Sequence, residues 1–286
     1  MEKNSYMNVN KNWFIDKINS FLENDQSNKM IKLDGSYIFE PNVLVGIVSG
    51  DDPIYIKYKE IIGDFHLTPS EAYEWYCKKE DKEYSSQELS VIAYILPINQ
   101  KTKEENFSYS KEIPSERWAH TRLFGEQANM NIQKYLVKEL SKLEIDAFAP
   151  TLDNKLFKIN RNIWASNWSH RHSCFAAGLG TFGLSDGFIN SRGKAMRCGS
   201  IIVNLKLPSD ANSRASDPYE YCNNCGDCII RCPVHAISFE HRHDKVVCSK
   251  HVMGTIPYIQ KTYGINIYAC GLCQVAVSCS DGIPKK

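Results

Sequence analysis

The segment Cys222-Asn-Asn-Cys225-Gly-Asp-Cys228-Ile-Ile-Arg-Cys232-Pro233 constrains this chain more than any other. It reads C-x2-C-x2-C-x3-C-P, a spacing in which three thiolates reach three corners of one iron–sulfur cube and the fourth is sent to a neighbouring cube. Eight of the eleven cysteines fall in the last 65 residues: the four of this run, then Cys248, Cys270, Cys273 and Cys279. They close into two sets of four, Cys222, Cys225 and Cys228 with Cys279, and Cys232 with Cys248, Cys270 and Cys273. The expectation is two 4Fe–4S clusters. Cys232 is expected to open a helix that Pro233 helps start, turning its thiol away from the first cube. Zinc is the alternative, but zinc ribbons use paired C-x2-C units with longer spacers and not a three-thiol run closed by Cys-Pro. Cys77, Cys174 and Cys198 read as small buried hydrophobes. His235 is expected to hydrogen-bond cluster sulfurs, and His241-Arg-His243 to form a solvated turn.

A chain of 286 residues, 43% hydrophobic, builds a core that needs no disulfide staples. Its thiols are therefore expected to stay reduced, in a cytoplasmic protein. No run of 18 apolar residues exists, and the Asn- and Lys-rich stretch from Met1 to Phe14 lacks the apolar segment of a secretory signal, so no membrane partner is expected. Lys and Arg number 34 against 33 Asp and Glu. Two oxidised cubes of about two negative charges each would bring the net charge to roughly −3, which argues against a nucleic-acid partner.

Upstream, apolar spacing predicts an amphipathic helix over Asn12 to Glu23 and a buried strand over Val43 to Val48. Thr68-Pro69-Ser70-Glu71 opens a helix running to about Lys79. A second apolar strand runs from Val91 to Leu96. A charged stretch from Asn99 to Ile113 is expected to be a structureless loop or lid, and Arg117 to Leu143 to be the longest helix. The pattern implies an α/β (α+β) layered domain over residues 1–215, followed by a ferredoxin-like domain over 216–286.

Glycines at 178, 180 and 183 fit G-x-G-x-x-G, yet the apolar strand that a dinucleotide site requires before it is absent. The glycines instead suggest a backbone that approaches something large and flat. Ala177-Gly-Leu-Gly-Thr-Phe-Gly183, the Gly199-Ser200 strand and the double-cluster module together resemble epoxyqueuosine reductase and its relatives, the cobalamin-dependent reductive dehalogenases, over about residues 85 to 286. The resemblance implies a corrinoid held base-off, contacted by Gly178, Leu179, Gly180, Gly183, Gly199 and Ser200, with Cys248 matching the cysteine between the two cluster motifs. Three departures accompany it. The family's Asp-Ser-Ala-Pro segment, whose Asp donates a proton, is here Trp164-Ala-Ser-Asn167. A lysine after the family's glycine motif is replaced by Leu184. The chain ends seven residues after Cys279, short of the helical-repeat region that engages transfer RNA, so no tRNA partner is expected.

Reduction consumes protons, so a donor should lie over the corrin. Asp153, His170 and His172 are the candidates, with Tyr94 and Tyr109 behind them. The resulting expectation is a cobalamin- and iron–sulfur-dependent reductase of a small molecule, fed by a low-potential donor such as a ferredoxin or flavodoxin. The alternative is an electron carrier or corrinoid activator without substrate chemistry of its own.

Overall fold

The computed structural model describes residues 8–84 and 88–285; the N-terminus read for a leader lies partly outside them. Its centre is strand β2, Leu89–Pro97, in which all nine residues are buried. Such a strand must be covered on both faces. β2 lies between β1 (Leu44–Ser49) and a long strand, Met196–Asn204, which in turn pairs with the short Ala147–Phe148. Numbered along the chain, these are β1, β2, β3 (Ala147–Phe148) and β8 (Met196–Asn204), in the order β1-β2-β8-β3. Every pairing is antiparallel, so the architecture is α+β, without the parallel crossovers that helix–strand alternation suggested.

Period-two alternation along β2 feeds two separate cores. Ile92, Tyr94 and Leu96 face a core shared with α1 (Lys11–Asn24) and α5 (Glu116–Ser141). Val91, Ala93 and Ile95 face a second core, closed by α2 (Ile54–Ile62), α3 (Pro69–Lys79) and the seven-residue α6 (His170–Ala176). Helix starts follow local chemistry. Asn10 caps α1 through its side chain, Thr68 and Glu71 form a complete capping box on α3, and Ser115 accepts from Trp118 N at 3.2 Å to open α5.

The stretch expected to be a loop or lid contains helix α4, Gln100–Tyr109. Its buried positions are polar, Thr102 and Asn106, which apolar periodicity does not register. Asn106 Oδ1 accepts from Ser115 N at 2.9 Å and its Nδ2 donates to Cys270 O at 3.1 Å, tying α4 to both α5 and the cysteine-rich segment.

Three small hairpins follow the main sheet's logic at reduced scale: β4 and β5 (Ile159–Asn160, Ala165–Ser166), β6 and β7 (Thr181–Phe182, Phe188–Ile189), and β9 and β10 (Ile237–Ser238, Arg242–His243). Helices α7 (Asp227–Ile230), α8 (Lys245–Gly254) and α9 (Ile256–Tyr263) complete the chain. The cysteine-rich segment does not pack alone. Ile259, Ile265, Ala269 and Val275 belong to the same core as β2 and α5. Among the described residues no helix is long and apolar enough to cross a membrane.

Candidate metal centre

Gly226 adopts φ +81°, a left-handed turn that favours glycine, and this turn starts α7 so that Cys225 stays outside the helix while Cys228 enters it. Cys222, Cys225, Cys228 and Cys279 line one space of ≈ 320 Å³, walled by Leu184, Ile189, Val277 and Lys194. Cys279 is brought there from far along the chain. Asp227 accepts from Ser278 N at 2.8 Å, and Lys194 N donates to Cys279 O at 2.9 Å. Cys232 follows α7 in a turn, so Pro233 starts no helix, in contrast to the expectation from its spacing. Its Sγ accepts from Ala236 N at 3.2 Å.

Burial pushes the thiols of Cys228, Cys248, Cys270, Cys273 and Cys279 up, and negative neighbours push them further. Cys228 is raised to about 11, first by burial and then by Cys273, Cys279 and Cys222, with Lys194 opposing. Cys270 is raised to about 12 by burial and by Cys273, Cys248 and Cys232; Cys273 is raised to about 11 by burial and by Cys248 and Cys232. Buried thiols favouring protonation in one another's company are ligands that a cation would relieve. Cys222, Cys225, Cys228 and Cys279 share one space, while Cys228 also lies near Cys273 of the other expected set. Among the described residues no three side chains converge tightly enough to hold a single metal ion.

A second, larger space of ≈ 690 Å³ is lined by Lys11, Val43, Leu44 and Val45 on one side and by Gly178, Leu179, Ser191 and Tyr221 on the other. Tyr221 of this space and Cys222 of the thiol space are consecutive in the chain. Of the six residues expected to touch a corrinoid, Gly178 and Leu179 line this space and Gly183 lines the thiol space. The other three answer to the protein itself. A Cβ on Gly180 would lie 2.2 Å from Ile189 O, across the β6–β7 hairpin, and one on Gly199 would lie 2.1 Å from the Tyr94 ring. Ser200 is fully buried and engaged by Trp168 and His170. Sequence reasoning missed Gly46 of β1, where a Cβ would meet Ala177 O at 2.7 Å and so part β1 from the glycine segment.

The proposed proton donors lie apart. Asp153 pairs with Lys79 at 3.1 Å and accepts from the backbone of Lys155 and Leu156. These bonds outweigh burial and hold its carboxyl below the ordinary range, so it is a carboxylate fastening a turn and not an acid. His170 sits in a chain. Trp168 Nε1 donates to Ser200 Oγ at 3.0 Å, which leaves the serine hydrogen for His170 Nδ1 at 2.8 Å; Nε2 then faces Thr151 Oγ1 at 3.3 Å, which donates to Gln133 Oε1 at 2.8 Å. Burial lowers this imidazole to about 4. His172, bonded to Ser169 Oγ at 2.8 Å and packed on Tyr58 and Phe182, is lowered by burial to about 3. Neither histidine lines the two spaces above. Tyr94 is buried with its hydroxyl donating to Asn129 Oδ1 at 2.9 Å, and the exposed Tyr109 bonds Tyr258.

Cys77, Cys174 and Cys198 are all buried. His235 is exposed, its N–H donating to Cys232 O at 3.3 Å. His243 is not in a solvated turn: it reaches Asp186 at 3.3 Å, while Arg242 donates to Gly183 O and stacks on Tyr219, so the β9–β10 hairpin fastens the glycine segment to the cysteine-rich one.

No protein-family model and no curated protein sequence matches the chain. Solved structures do. The catabolic reductive dehalogenase NpRdhA superimposes with a TM-score of 0.53 at 16% identity, over 84% of this chain and 30% of the dehalogenase. The same enzyme in complex with 3-bromo-4-hydroxybenzoic acid gives a TM-score of 0.53, also at 16% identity. This chain thus spans under a third of the length of the structures it matches, and what is shared at that identity is the fold.

Proposed function

We propose that this chain is an iron–sulfur oxidoreductase that reduces a small molecule, with the two four-thiol sets as its electron path and the ≈ 690 Å³ space as the seat of a corrinoid. The reading is carried by one observation. Cys222, Cys225, Cys228 and Cys279 line one space, and Tyr221, next to Cys222 in the chain, lines the larger one. The fold shared with a reductive dehalogenase supports it.

Cys222, Cys225, Cys228 and Cys279, lining one space, are the chemistry that a 4Fe–4S cluster needs. When bound, a 4Fe–4S cluster accepts and releases single electrons at low potential. Cys222, Cys225, Cys228 and Cys279 would hold the cluster nearer the larger space, and Cys232, Cys248, Cys270 and Cys273 the farther one. Leu184, Ile189 and Val277 give the first set an apolar wall, and Trp118 packs its ring over Gly271 beside the second. The larger space is open to solvent and is lined on one side by apolar side chains of β1 and on the other by the glycine segment. A corrinoid there would meet Gly178, Leu179 and the β1 residues Val43 to Val45. Proton delivery is assigned to solvent, because Asp153 is committed to Lys79 and neither His170 nor His172 lines the larger space. The division at residue 215 is retained as a functional one, scaffold before it and electron path after it. The partners proposed are a low-potential ferredoxin or flavodoxin and a small substrate.

The test is anaerobic reconstitution with iron and sulfide, followed by titration with cobalamin. Two cubes correspond to eight irons and eight labile sulfides, and base-off binding at one equivalent is expected in the visible spectrum. Four irons, or zinc in their place, would remove the two-cluster reading. Full iron without cobalamin binding would leave the electron-carrier alternative.

A further inference from the structure

Lys194 is a charge that the thiol site leaves unexplained. It is 3% exposed, and lysine is almost never buried so fully without a paired anion. Among the described residues it forms no ion pair with a carboxylate; Nζ donates to Ser185 Oγ at 3.0 Å and points into the space lined by Cys222, Cys225, Cys228 and Cys279. Its place is fixed from three sides. Its own N–H donates to Cys279 O at 2.9 Å. Gly193 before it, at φ +87°, would bring a Cβ to 1.9 Å from Ser280 O, so this backbone is pressed against the segment that carries Cys279. A Cβ on Gly187 would stand 3.1 Å from the lysine's Cδ, so its stem is sandwiched by the turn between β6 and β7. A buried ammonium without its counter-charge costs several kcal/mol, and a protein that retains one places the compensating anion close by.

We propose that Lys194 is the built-in counter-ion of the Cys222, Cys225, Cys228, Cys279 site, and that by offsetting negative charge there it raises the reduction potential of the cluster those residues hold. The inference rests on the iron–sulfur reading and deepens it. One-electron reduction of a cube adds one negative charge and breaks no bond; the electron comes from the low-potential donor protein and leaves toward the substrate. A fixed cation close to the thiols stabilises the reduced form more than the oxidised one. The second set has its own cation in Arg231, whose Nε donates to Leu272 O at 3.3 Å and whose Nη2 is buried without a partner among the described residues. Each site therefore carries a cation of its own, and Lys194 is the one at the first.

The test is a redox titration of the reconstituted full chain followed by electron paramagnetic resonance. Lys194→Met should move the midpoint of one cluster to lower potential by more than it moves the other, while Lys194→Arg, which keeps the charge, stays nearer the parent protein. Should Lys194→Met lose half of its iron and Lys194→Arg keep it, the charge is needed to assemble that site, and the assignment stands. Midpoints unmoved in both variants, or moved alike in both, would overturn it. Iron content of the unaltered chain separates the two levels. Fewer than two cubes defeats the iron–sulfur reading and the role of Lys194 with it; two cubes with unmoved midpoints defeat the role of Lys194 alone.

Discussion

The cysteine-rich and glycine-rich segments both place one residue type at fixed short intervals, yet the intervals serve opposite ends. In Cys222 to Cys232 the spacing delivers side chains outward, into space that only a bound group would fill. In Gly178 to Gly183 it removes side chains so that the protein can close on itself, as at Gly180 against Ile189 O. A repeated reactive residue points to a ligand. A repeated absent side chain points to close approach, and the approaching partner is here mostly backbone.

That contrast can be broken by experiment. The largest effect is expected for Cys232→Ala, which should take iron from near eight to near four per chain by removing the set of Cys248, Cys270 and Cys273 while sparing that of Cys222; loss of all iron would mean that the two sets are not independent. Next comes Gly199→Ala, whose added methyl meets the Tyr94 ring. Overpacking of this kind costs about 1–3 kcal/mol, and it should appear in the urea midpoint of the cofactor-free chain. A midpoint unchanged without cobalamin would return Gly199 to the ligand's side of the comparison.

The third effect depends on pH. His170 and His172 have folded-state values of about 4 and about 3, below the ordinary 6.5. Between those limits the unfolded chain binds more protons than the folded one, so stability is complete above about pH 6.5 and falls as pH drops toward 4. The denaturation midpoint should decline over that window, and His170→Gln should flatten part of the decline; a flat profile from pH 7 to 4.5 would contradict the burial argument. The smallest effect belongs to Asp153→Asn. Its ion pair with Lys79 is half-exposed on the lysine side, where pairs contribute about 0–1 kcal/mol, and an asparagine Oδ1 can still accept from Lys155 and Leu156. Stability should shift by less than about 1 kcal/mol, and turnover of any substrate found should stay within twofold. A loss of 10²–10⁴, typical of a missing general acid, would restore Asp153 as the donor.

The parts of this architecture legible in the sequence are those written by side-chain chemistry at close range. The Thr68-Pro69-Ser70-Glu71 box opens α3, and the apolar runs around Val45 and Val91 are β1 and β2. The sharing of one space by Cys222, Cys225 and Cys228 was also legible, because spacing within one loop sets it. What was not legible depends on partners far apart in the chain. Helix α4 buries Thr102 and Asn106, so its inner face carries no apolar signature. Antiparallel order could not be read from helices alternating with strands, since β8 enters the sheet beside β2 from about a hundred positions away. Lys194 carries no local mark at all; only the fold shows that its ammonium is sealed beside Cys279.

The bond between Asp227 and Ser278 spans 51 positions, and the first four-thiol set closes across that interval. Within it lie α8, α9 and the residues Ile259, Ile265 and Ala269, which pack beneath α5. A metal held by both ends is therefore a cross-link as well as a redox group. In a chain-entropy description, fastening a loop of that length removes about 4 kcal/mol of freedom from the unfolded chain. Oxygen that dissolves the cluster would then release a clasp, and the first sign of damage in this protein would be protease cutting between Cys232 and Cys270 before any wider loss of fold.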